Sequence, residues 1–92
     1  MTLEKQFLLA KEQILTLSEK PSNETMLKLY GLYKQGSKGN VDLEKPGVFD
    51  FVAKAKYTAW ERLGGLSKSD AMQQYIDLVN SLIASAPKNE NE

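Results

Sequence analysis

The residue types that could bind a ligand are concentrated between Met26 and Asn40, above all in Tyr30, Tyr33 and Lys34. In a helix, positions i, i+3 and i+4 fall on one face, so two phenol rings and an ammonium group would project together. Phenol rings stack on flat aromatic groups and donate hydrogen bonds, and an ammonium group attracts phosphate. The triplet therefore predicts a nucleotide or phosphate site built on a helix.

The same triplet also has a purely structural interpretation. A tyrosine at a helix edge is often half buried with its hydroxyl in water, and a neighbouring lysine lays its alkyl stem over the ring. Later in the chain, Lys56, Tyr57 and Trp60 share a second stripe at helical spacing. A lysine in an aromatic stripe is unusual for a core. If that stripe borders a ligand groove, Lys56 supplies charge and the two rings supply surface.

Composition narrows the chemistry. The 92 residues predict one domain, 1–92, with an ordered core over about 2–86 and a polar tail at 87–92. There is no cysteine and no histidine, which excludes disulfides, thiolate nucleophiles, Cys/His zinc sites and histidine acid–base catalysis. Twelve basic and twelve acidic residues give zero net charge, which disfavours a nucleic-acid binder. Between residues 28 and 56, six lysines against three acidic residues leave a local basic surplus of three.

The sequence carries no sign of a membrane protein. No apolar run approaches the roughly 20 residues that span a bilayer, and the first residues, MTLEKQF, do not follow the order of a signal peptide. We expect a soluble, cytoplasmic protein.

Apolar residues recur at threes and fours in four segments, and no segment alternates with the period of a strand. These stripes, with their capping residues, predict four helices: Thr2 (N-cap) to about Ser18, Asn23 (N-cap) to about Gly39, Asp50 (N-cap) to about Leu63, and a fourth opened by Ser67 to Asp70 with an apolar stripe to Ala86. The fold class is therefore all-α.

The connection between the second and third helices is long, at about a dozen residues from Gly39 to Asp50. Loops of this length are usually functional or packed by their own side chains. We expect the apolar residues of this one to turn inward: Val41, Leu43, Val48 and Phe49. Two large aromatic residues of the third helix, Phe51 and Trp60, are expected in the core.

Three segments carry a resemblance to a known family: LYGLYKQGSKGNV from residue 29, KPGVFDFVAKAKYTAW from residue 45, and LSKSDAMQQYIDLV from residue 66. On this long and ordered pattern, the chain resembles the acyl-CoA-binding protein family from Phe7 to about Val79. The resemblance implies a four-helix, up-down bundle with one overhand loop between helices 2 and 3. It also implies a monomer that binds medium- to long-chain fatty acyl-CoA esters, one per molecule, and catalyses nothing.

The family's binding residues match positions of this sequence. By that match, Tyr30, Lys34 and Lys56 would hold the 3′-phosphate of the CoA ribose, and Tyr33 would lie against adenine. Tyr75 would close over the ligand, while three residues would line the acyl groove: Met26, Leu27 and Ala55. Fatty acyl-CoA is thus the implied ligand, with no cofactor and no metal. The implied role is an intracellular carrier and pool buffer, with transient contacts to acyl-CoA-using enzymes or a membrane surface.

The chain departs from the family pattern at two positions. Many relatives have a lysine where this chain has Leu15, and Lys11 lies one turn earlier instead. Many relatives also have a tryptophan where this chain has Tyr57, a change that retains stacking surface.

Three other functions remain as alternatives. A helical protein-interaction module would use the same Tyr/Lys groove, although a purely apolar groove would suit it better. A single-strand nucleic-acid binder could stack bases on Tyr30 and Tyr33, but zero net charge counts against it. An acyl-CoA hydrolase would need a nucleophile–base pair, which cannot be assembled here without His or Cys.

Overall fold

A computed structural model describes residues 1–85 of the chain, and these residues contain helices and turns without a strand. The elements are α1 (Leu3–Ile14), α2 (Asn23–Lys38), α3 (Phe51–Glu61) and α4 (Lys68–Ser85). The predicted all-α, four-helix fold with a long connection between α2 and α3 is confirmed. None of the described helices is long and apolar enough to cross a bilayer. Ala86 and the predicted polar tail, 87–92, lie outside the described residues.

Polar side chains cap three helices where the sequence predicts them. The Lys5 amide donates to the Thr2 hydroxyl at 3.2 Å, and the Ala53 amide donates to the Asp50 carboxylate at 3.3 Å. The Asp70 amide donates to the Ser67 hydroxyl at 3.0 Å. Each bond satisfies a first-turn amide that has no partner within its own helix.

The N-cap of α2 is Ser22, so the prediction of Asn23 is wrong by one residue. The Ser22 hydroxyl accepts a hydrogen bond from the Thr25 amide at 3.2 Å and donates one to the Thr25 hydroxyl at 3.0 Å. Serine and asparagine are about equally good caps. The N-cap that forms is Ser22, whose hydroxyl makes both hydrogen bonds to Thr25.

Helix α1 is shorter than predicted and ends at Ile14 instead of near Ser18. The amides of Leu15 and Thr16 bond to carbonyls only three residues back, at 3.1 and 2.9 Å, so the last turn is tightened. The Thr16 hydroxyl also donates to the Gln13 carbonyl at 2.6 Å. Residues after Ile14 therefore leave the helical path early.

The core forms where α4 packs against both α1 and α2. Seven side chains of these helices make one buried cluster: Phe7, Ala10, Leu29, Leu32, Tyr75, Ile76 and Val79. Helix α3 packs against α2 alone among the described helices. Its contribution to the interior is Trp60, which is 1% exposed, so the prediction that this residue is buried is confirmed.

A set of hydrogen bonds joins the end of α2 to the end of α3 and to the α3–α4 connection, and we call it the C-terminal clamp of α2. The fully buried Gln35 donates from Nε2 to the Leu66 carbonyl at 2.8 Å and to Asn40 Oδ1 at 3.0 Å. Asn40 Oδ1 also accepts from the Gly65 amide at 2.9 Å. The Trp60 indole donates to the carbonyl of Gly39 at 2.8 Å.

Gly39 ends α2 with a φ of +85°, a conformation that favours glycine. The sequence leaves Gly39 or Asn40 as the residue with this conformation, and the structure shows that it is Gly39. With this conformation the chain leaves α2 at Gly39, and the next residue, Asn40, takes part in the clamp.

The long connection does not turn its apolar residues inward as predicted. Leu43 is 59% exposed, Val48 is 64% exposed and Phe49 is 87% exposed, while Val41 is half-buried. Phe51 is 73% exposed, so its expected place in the core is also wrong. Because α3 packs against α2 alone in the part of the chain that the structure describes, no second helix of that part covers its N-terminal turn.

Candidate functional site

Tyr30 lies between two ammonium groups that come from different helices. Lys34 follows it by one turn on α2, and its Nζ lies 5.8 Å from the centroid of the Tyr30 ring. Lys56 comes from α3, with its Nζ 5.5 Å from the same centroid. Lys34 Nζ also lies 5.8 Å from the Trp60 ring. All three distances are within cation–π range. The structure thus brings together the three residues to which the resemblance assigns a phosphate.

A close approach of two helix backbones puts Lys56 next to Tyr30. Gly31, the residue after Tyr30, is buried, and a Cβ atom built on it would lie 2.7 Å from the Ala59 carbonyl oxygen. Such a contact is too short for a side chain, so glycine permits the spacing of α2 and α3. Lys56 precedes Ala59 by three residues, which places both on the side of α3 that faces α2.

Three aromatic rings from α1, α2 and α4 pack together. Phe7 of α1 stacks on Tyr33 of α2, with ring centroids 5.2 Å apart and 21° between planes. Tyr75 of α4 meets Phe7 edge-on at 5.2 Å, and the Tyr33 and Tyr75 centroids are 5.8 Å apart. The sequence stripes place Phe7 on the buried face of α1, but its contact with Tyr33 depends on how the helices cross.

Tyr75 is only 4% exposed. Burial, and to a smaller extent the neighbouring Tyr33 hydroxyl, raises the pKa of the Tyr75 hydroxyl above its ordinary value of 10.0. Tyr75 therefore stays neutral over the physiological pH range and can act as a hydrogen-bond donor.

Lys11 of α1 reaches the same cluster. Its Nζ donates to the Tyr33 hydroxyl at 2.9 Å and lies 4.4 Å from the centroid of the ring. Leu15, one turn later, is 82% exposed. The first helix thus supplies a cation at Tyr33 through Lys11, one turn before Leu15.

A cavity of about 460 Å³ opens between α1, α2 and α4, and we call it the tyrosine cavity. The three tyrosines predicted to bind the ligand line it. Lys11 also lines it, and so does Met26, which was predicted to line the acyl groove. Its complete lining is Lys11, Ile14, Leu15, Leu17, Glu19, Lys20, Pro21, Met26, Leu29, Tyr30, Tyr33 and Tyr75.

A second cavity, of about 770 Å³, lies between α2, α3 and Leu78 of α4, and we call it the aliphatic cavity. It contains the other two predicted acyl-groove residues, Leu27 and Ala55. Its remaining lining is Glu24, Thr25, Lys28, Phe51, Lys54, Thr58, Ala59, Arg62 and Leu63. The structure therefore divides the predicted groove lining: Met26 and Leu27 are consecutive on α2 and border different cavities.

Lys54 borders the aliphatic cavity, while Lys56 lies beside Tyr30. The two lysines point in different directions because positions i and i+2 of a helix are about 200° apart. Lys54 and Lys56 therefore cannot both face one group of the ligand, as their two-residue spacing in the sequence indicates.

Comparison with known proteins gives consistent results. A family model described as acyl CoA binding protein matches residues 4–79. Acyl-CoA-binding protein homolog 1 of Caenorhabditis elegans is 48% identical over 75 residues, which are 82% of this chain and 87% of that protein. The crystal structure of acyl-CoA-binding protein 2 from Oryza sativa superimposes with a TM-score of 0.87 at 39% identity, covering 94% of this chain and 100% of that one.

Two further relatives are much longer. Enoyl-CoA delta isomerase 2 of Rattus norvegicus is 52% identical over 77 residues, which are 84% of this chain and 20% of that protein. The isomerase of the same name from Homo sapiens is 49% identical over 79 residues, again with 20% of its length covered. The chain spans about a fifth of these two relatives. On the family model and the relative covered over 87% of its length, the chain belongs to the acyl-CoA-binding protein family.

Proposed function

We propose that this chain binds fatty acyl-CoA esters, one per molecule, and acts as their carrier and pool buffer. The observation that supports this most directly is that Lys34 and Lys56 both lie beside Tyr30, while Ala55, the residue before Lys56, lines the aliphatic cavity. An acyl-CoA ester has an anionic head and a hydrocarbon tail. Its carrier needs both kinds of surface within one ligand's length.

The head of the ester would be held around Tyr30, which lies beside Lys34 and Lys56 and also lines the tyrosine cavity. Two ammonium groups beside one phenol can share a phosphate group, since charge-assisted hydrogen bonds are stronger than neutral ones. Tyr33 would lie against the adenine ring, and Tyr75 would close over the ligand. Lys11, which is bonded to the Tyr33 hydroxyl, adds a third cation on the head side.

The tail of the ester would occupy the aliphatic cavity, against Leu27 and Ala55. A volume of about 770 Å³ is within the usual range of ligand pockets. Each methylene transferred from water gains about 0.8 kcal/mol. A long acyl chain would therefore provide much of the affinity, and the head would provide the specificity.

The proposal includes the absence of catalysis. The sequence contains neither histidine nor cysteine, the side chains that most often serve as base or nucleophile in acyl transfer. The isomerase activity named for two relatives belongs to proteins of which this chain covers 20%, and we do not extend it to this chain. A groove formed by one chain needs no second copy, which supports the expected monomer. The expected cytoplasmic location is kept as part of the proposal.

The experiment that tests this function is a calorimetric titration with palmitoyl-CoA below its micellar concentration. Parallel titrations use CoA without an acyl chain and free palmitate. We expect one-to-one binding of the ester, with both fragments binding far more weakly because each lacks half of the contacts. Folded protein that does not bind the ester would contradict the proposal and favour the protein-interaction module.

A further inference from the structure

Along the aliphatic cavity, α3 presents two rows of side chains with different chemistry. Three apolar residues of the lining, four positions apart, make what we call the apolar row: Ala55, Ala59 and Leu63. Three residues of the lining whose side chains can donate hydrogen bonds make what we call the polar row: Lys54, Thr58 and Arg62. A saturated hydrocarbon tail can contact the apolar row, but it offers no acceptor to the polar row.

The positive charge of this cavity lies mainly on the wall formed by α3. The charged residues of the lining are three cations and one anion: Lys28, Lys54, Arg62 and Glu24. Glu24 precedes Lys28 by four residues on α2, a spacing at which a carboxylate and an ammonium group are neighbours on the helix surface. Lys54 and Arg62 have no other acidic residue among the described residues of the lining. The α3 wall therefore attracts an anionic group.

Arg62 is the only arginine of the sequence, and the backbone fixes its position at the end of α3. Its amide donates to the Thr58 carbonyl at 3.0 Å, and the amide of Leu63 donates to the Trp60 carbonyl at 3.0 Å. The Arg62 side chain is exposed, so its guanidinium group can turn toward a ligand in the cavity. A guanidinium group presents a planar fork of donors that matches a carboxylate with two parallel hydrogen bonds. Among the cations of the lining, Arg62 is thus the one best suited to a carboxylate.

An acyl tail in this cavity would run along α3 toward Arg62. The head is proposed to bind at Lys56, so the tail would enter the cavity at Ala55, the preceding residue. Toward the start of α3 the cavity is lined by Phe51, which is 73% exposed, whereas toward the end it is lined by Leu63, which packs against the core cluster. Apolar burial favours the second direction. Arg62 adjoins Leu63 and lies about 10 Å from Ala55 by the rise of a helix, so the end of a medium-length tail would reach it.

We propose that the aliphatic cavity also binds acyl-CoA esters whose tail ends in a carboxylate, the mono-CoA esters of dicarboxylic acids, and that Arg62 binds this terminal carboxylate. The methylene groups of the tail contact the apolar row, and the carboxylate lies where the polar row ends. This inference rests on the proposed function and deepens it, because the contacts of the head are those of any acyl-CoA. Without a cation at this end, a carboxylate would weaken binding, since a charge is costly to remove from water.

The test is a calorimetric titration at neutral pH with two esters of equal chain length, decanoyl-CoA and the mono-CoA ester of decanedioic acid. The ratio of the two affinities reports on the terminal carboxylate, because head and chain length are the same. Arg62→Gln removes the positive charge, and Arg62→Lys keeps the charge without the fork of donors. The matched control is Lys45→Gln, which removes one positive charge from an exposed lysine of the long connection that lines neither cavity.

We expect the wild type to bind the decanedioic ester at least as tightly as decanoyl-CoA. Arg62→Gln should weaken binding of the decanedioic ester about tenfold more than binding of decanoyl-CoA, the effect of losing one hydrogen bond to a charged group. Arg62→Lys should give a ratio between those of the wild type and Arg62→Gln. Lys45→Gln should keep the ratio of the wild type.

Three outcomes would overturn the inference and leave the carrier function standing, provided that the wild type binds decanoyl-CoA and palmitoyl-CoA. The first is a wild type that binds the decanedioic ester far more weakly than decanoyl-CoA. The second is an equal loss of affinity for both esters in Arg62→Gln, and the third is the same change of ratio in Lys45→Gln as in Arg62→Gln. Folded wild-type chain that binds none of the three esters would contradict the carrier function itself, and this inference with it.

Discussion

The two cavities on either side of α2 are built differently. The tyrosine cavity lies between α1, α2 and α4, which are joined by the common core and by the contacts of Phe7, Tyr33 and Tyr75. The aliphatic cavity borders α3, which packs against α2 alone among the described helices. Polar recognition depends on fixed directions, whereas apolar burial is non-directional. The firmly packed side therefore suits a nucleotide head, and the side that borders α3 suits tails of different lengths.

The largest effect should come from disrupting the close approach of α2 and α3 at Gly31. Gly31→Ala would place a Cβ 2.7 Å from the Ala59 carbonyl, so α3 must move away from α2. We expect a loss of about 3 kcal/mol in the free energy of unfolding, the upper part of the usual range for overpacking. Ester affinity should fall as well, because Lys56 moves with α3. Urea unfolding and palmitoyl-CoA titration measure the two effects.

The control for this variant is Gly47→Ala, at a position where a Cβ has no neighbour within 4 Å. It should leave both the stability and the affinity close to those of the wild type. A Gly31→Ala chain as stable as Gly47→Ala would mean that the helices are not held at their observed spacing.

The second-largest effect should come from removing the lysines that are proposed to bind the phosphate of the head. Lys34→Ala and Lys56→Ala should each weaken palmitoyl-CoA binding by about 1 to 3 kcal/mol, the size of a hydrogen bond to a charged group. The free energy of unfolding should change little. Lys38→Ala, which removes an exposed lysine in the last turn of α2, is the matched control. If both variants bind as tightly as the control, the phosphate assignment is wrong.

A smaller effect should show which cavity binds the acyl tail, because affinity there should depend on the length of the acyl chain. Leu27→Ala, in the aliphatic cavity, should weaken binding of palmitoyl-CoA by about 1 kcal/mol and of butanoyl-CoA much less, because a short tail makes fewer contacts there. Leu17→Ala, in the tyrosine cavity, should change the affinities for both esters equally. Calorimetric titration of the two variants with the two esters tests this. The reverse pattern would place the tail in the tyrosine cavity.

The smallest effect is a pH dependence of stability due to Tyr75. Because its pKa is raised in the folded chain, the unfolded chain loses this proton first as the pH rises above 10.0. The contribution of Tyr75 is complete below that pH and is lost as the pH rises through its folded pKa. In Tyr75→Phe the stability should therefore fall less steeply across this alkaline range. Parallel slopes for Tyr75→Phe and wild type in urea unfolding would contradict this assignment.

Local signals of the sequence predict the helices well. Thr2, Asp50 and Ser67 cap as expected, and Gly39 ends α2, because each acts through backbone atoms only a few residues away. The grouping of Tyr30 with Lys34 also follows from spacing on one helix. Local signals are wrong by one residue at Ser22, where two good caps are adjacent, and by about one turn at the end of α1.

Features that depend on how helices meet could not be predicted in the same way. Phe51 and Phe49 are exposed because, within residues 1–85, no second helix packs over the start of α3, and an apolar residue in a sequence does not reveal whether it has a neighbour. The division between Met26 and Leu27 arises because adjacent residues on α2 face different cavities. The bond from Lys11 to Tyr33 joins residues 22 positions apart.

The C-terminal clamp of α2 anchors the start of the long connection to the end of α3 and the α3–α4 connection. Gln35, Trp60 and Asn40 fix its first residues, and Asp50 fixes its last one through the cap of α3. The residues between these anchors bear little of the packing. Because the entropy of closing a loop rises by only about 0.6 kcal/mol for each doubling of its length, the chain can accept inserted peptide between Glu44 and Lys45. This connection is thus the part of the molecule that can lengthen during evolution while the ligand site stays intact.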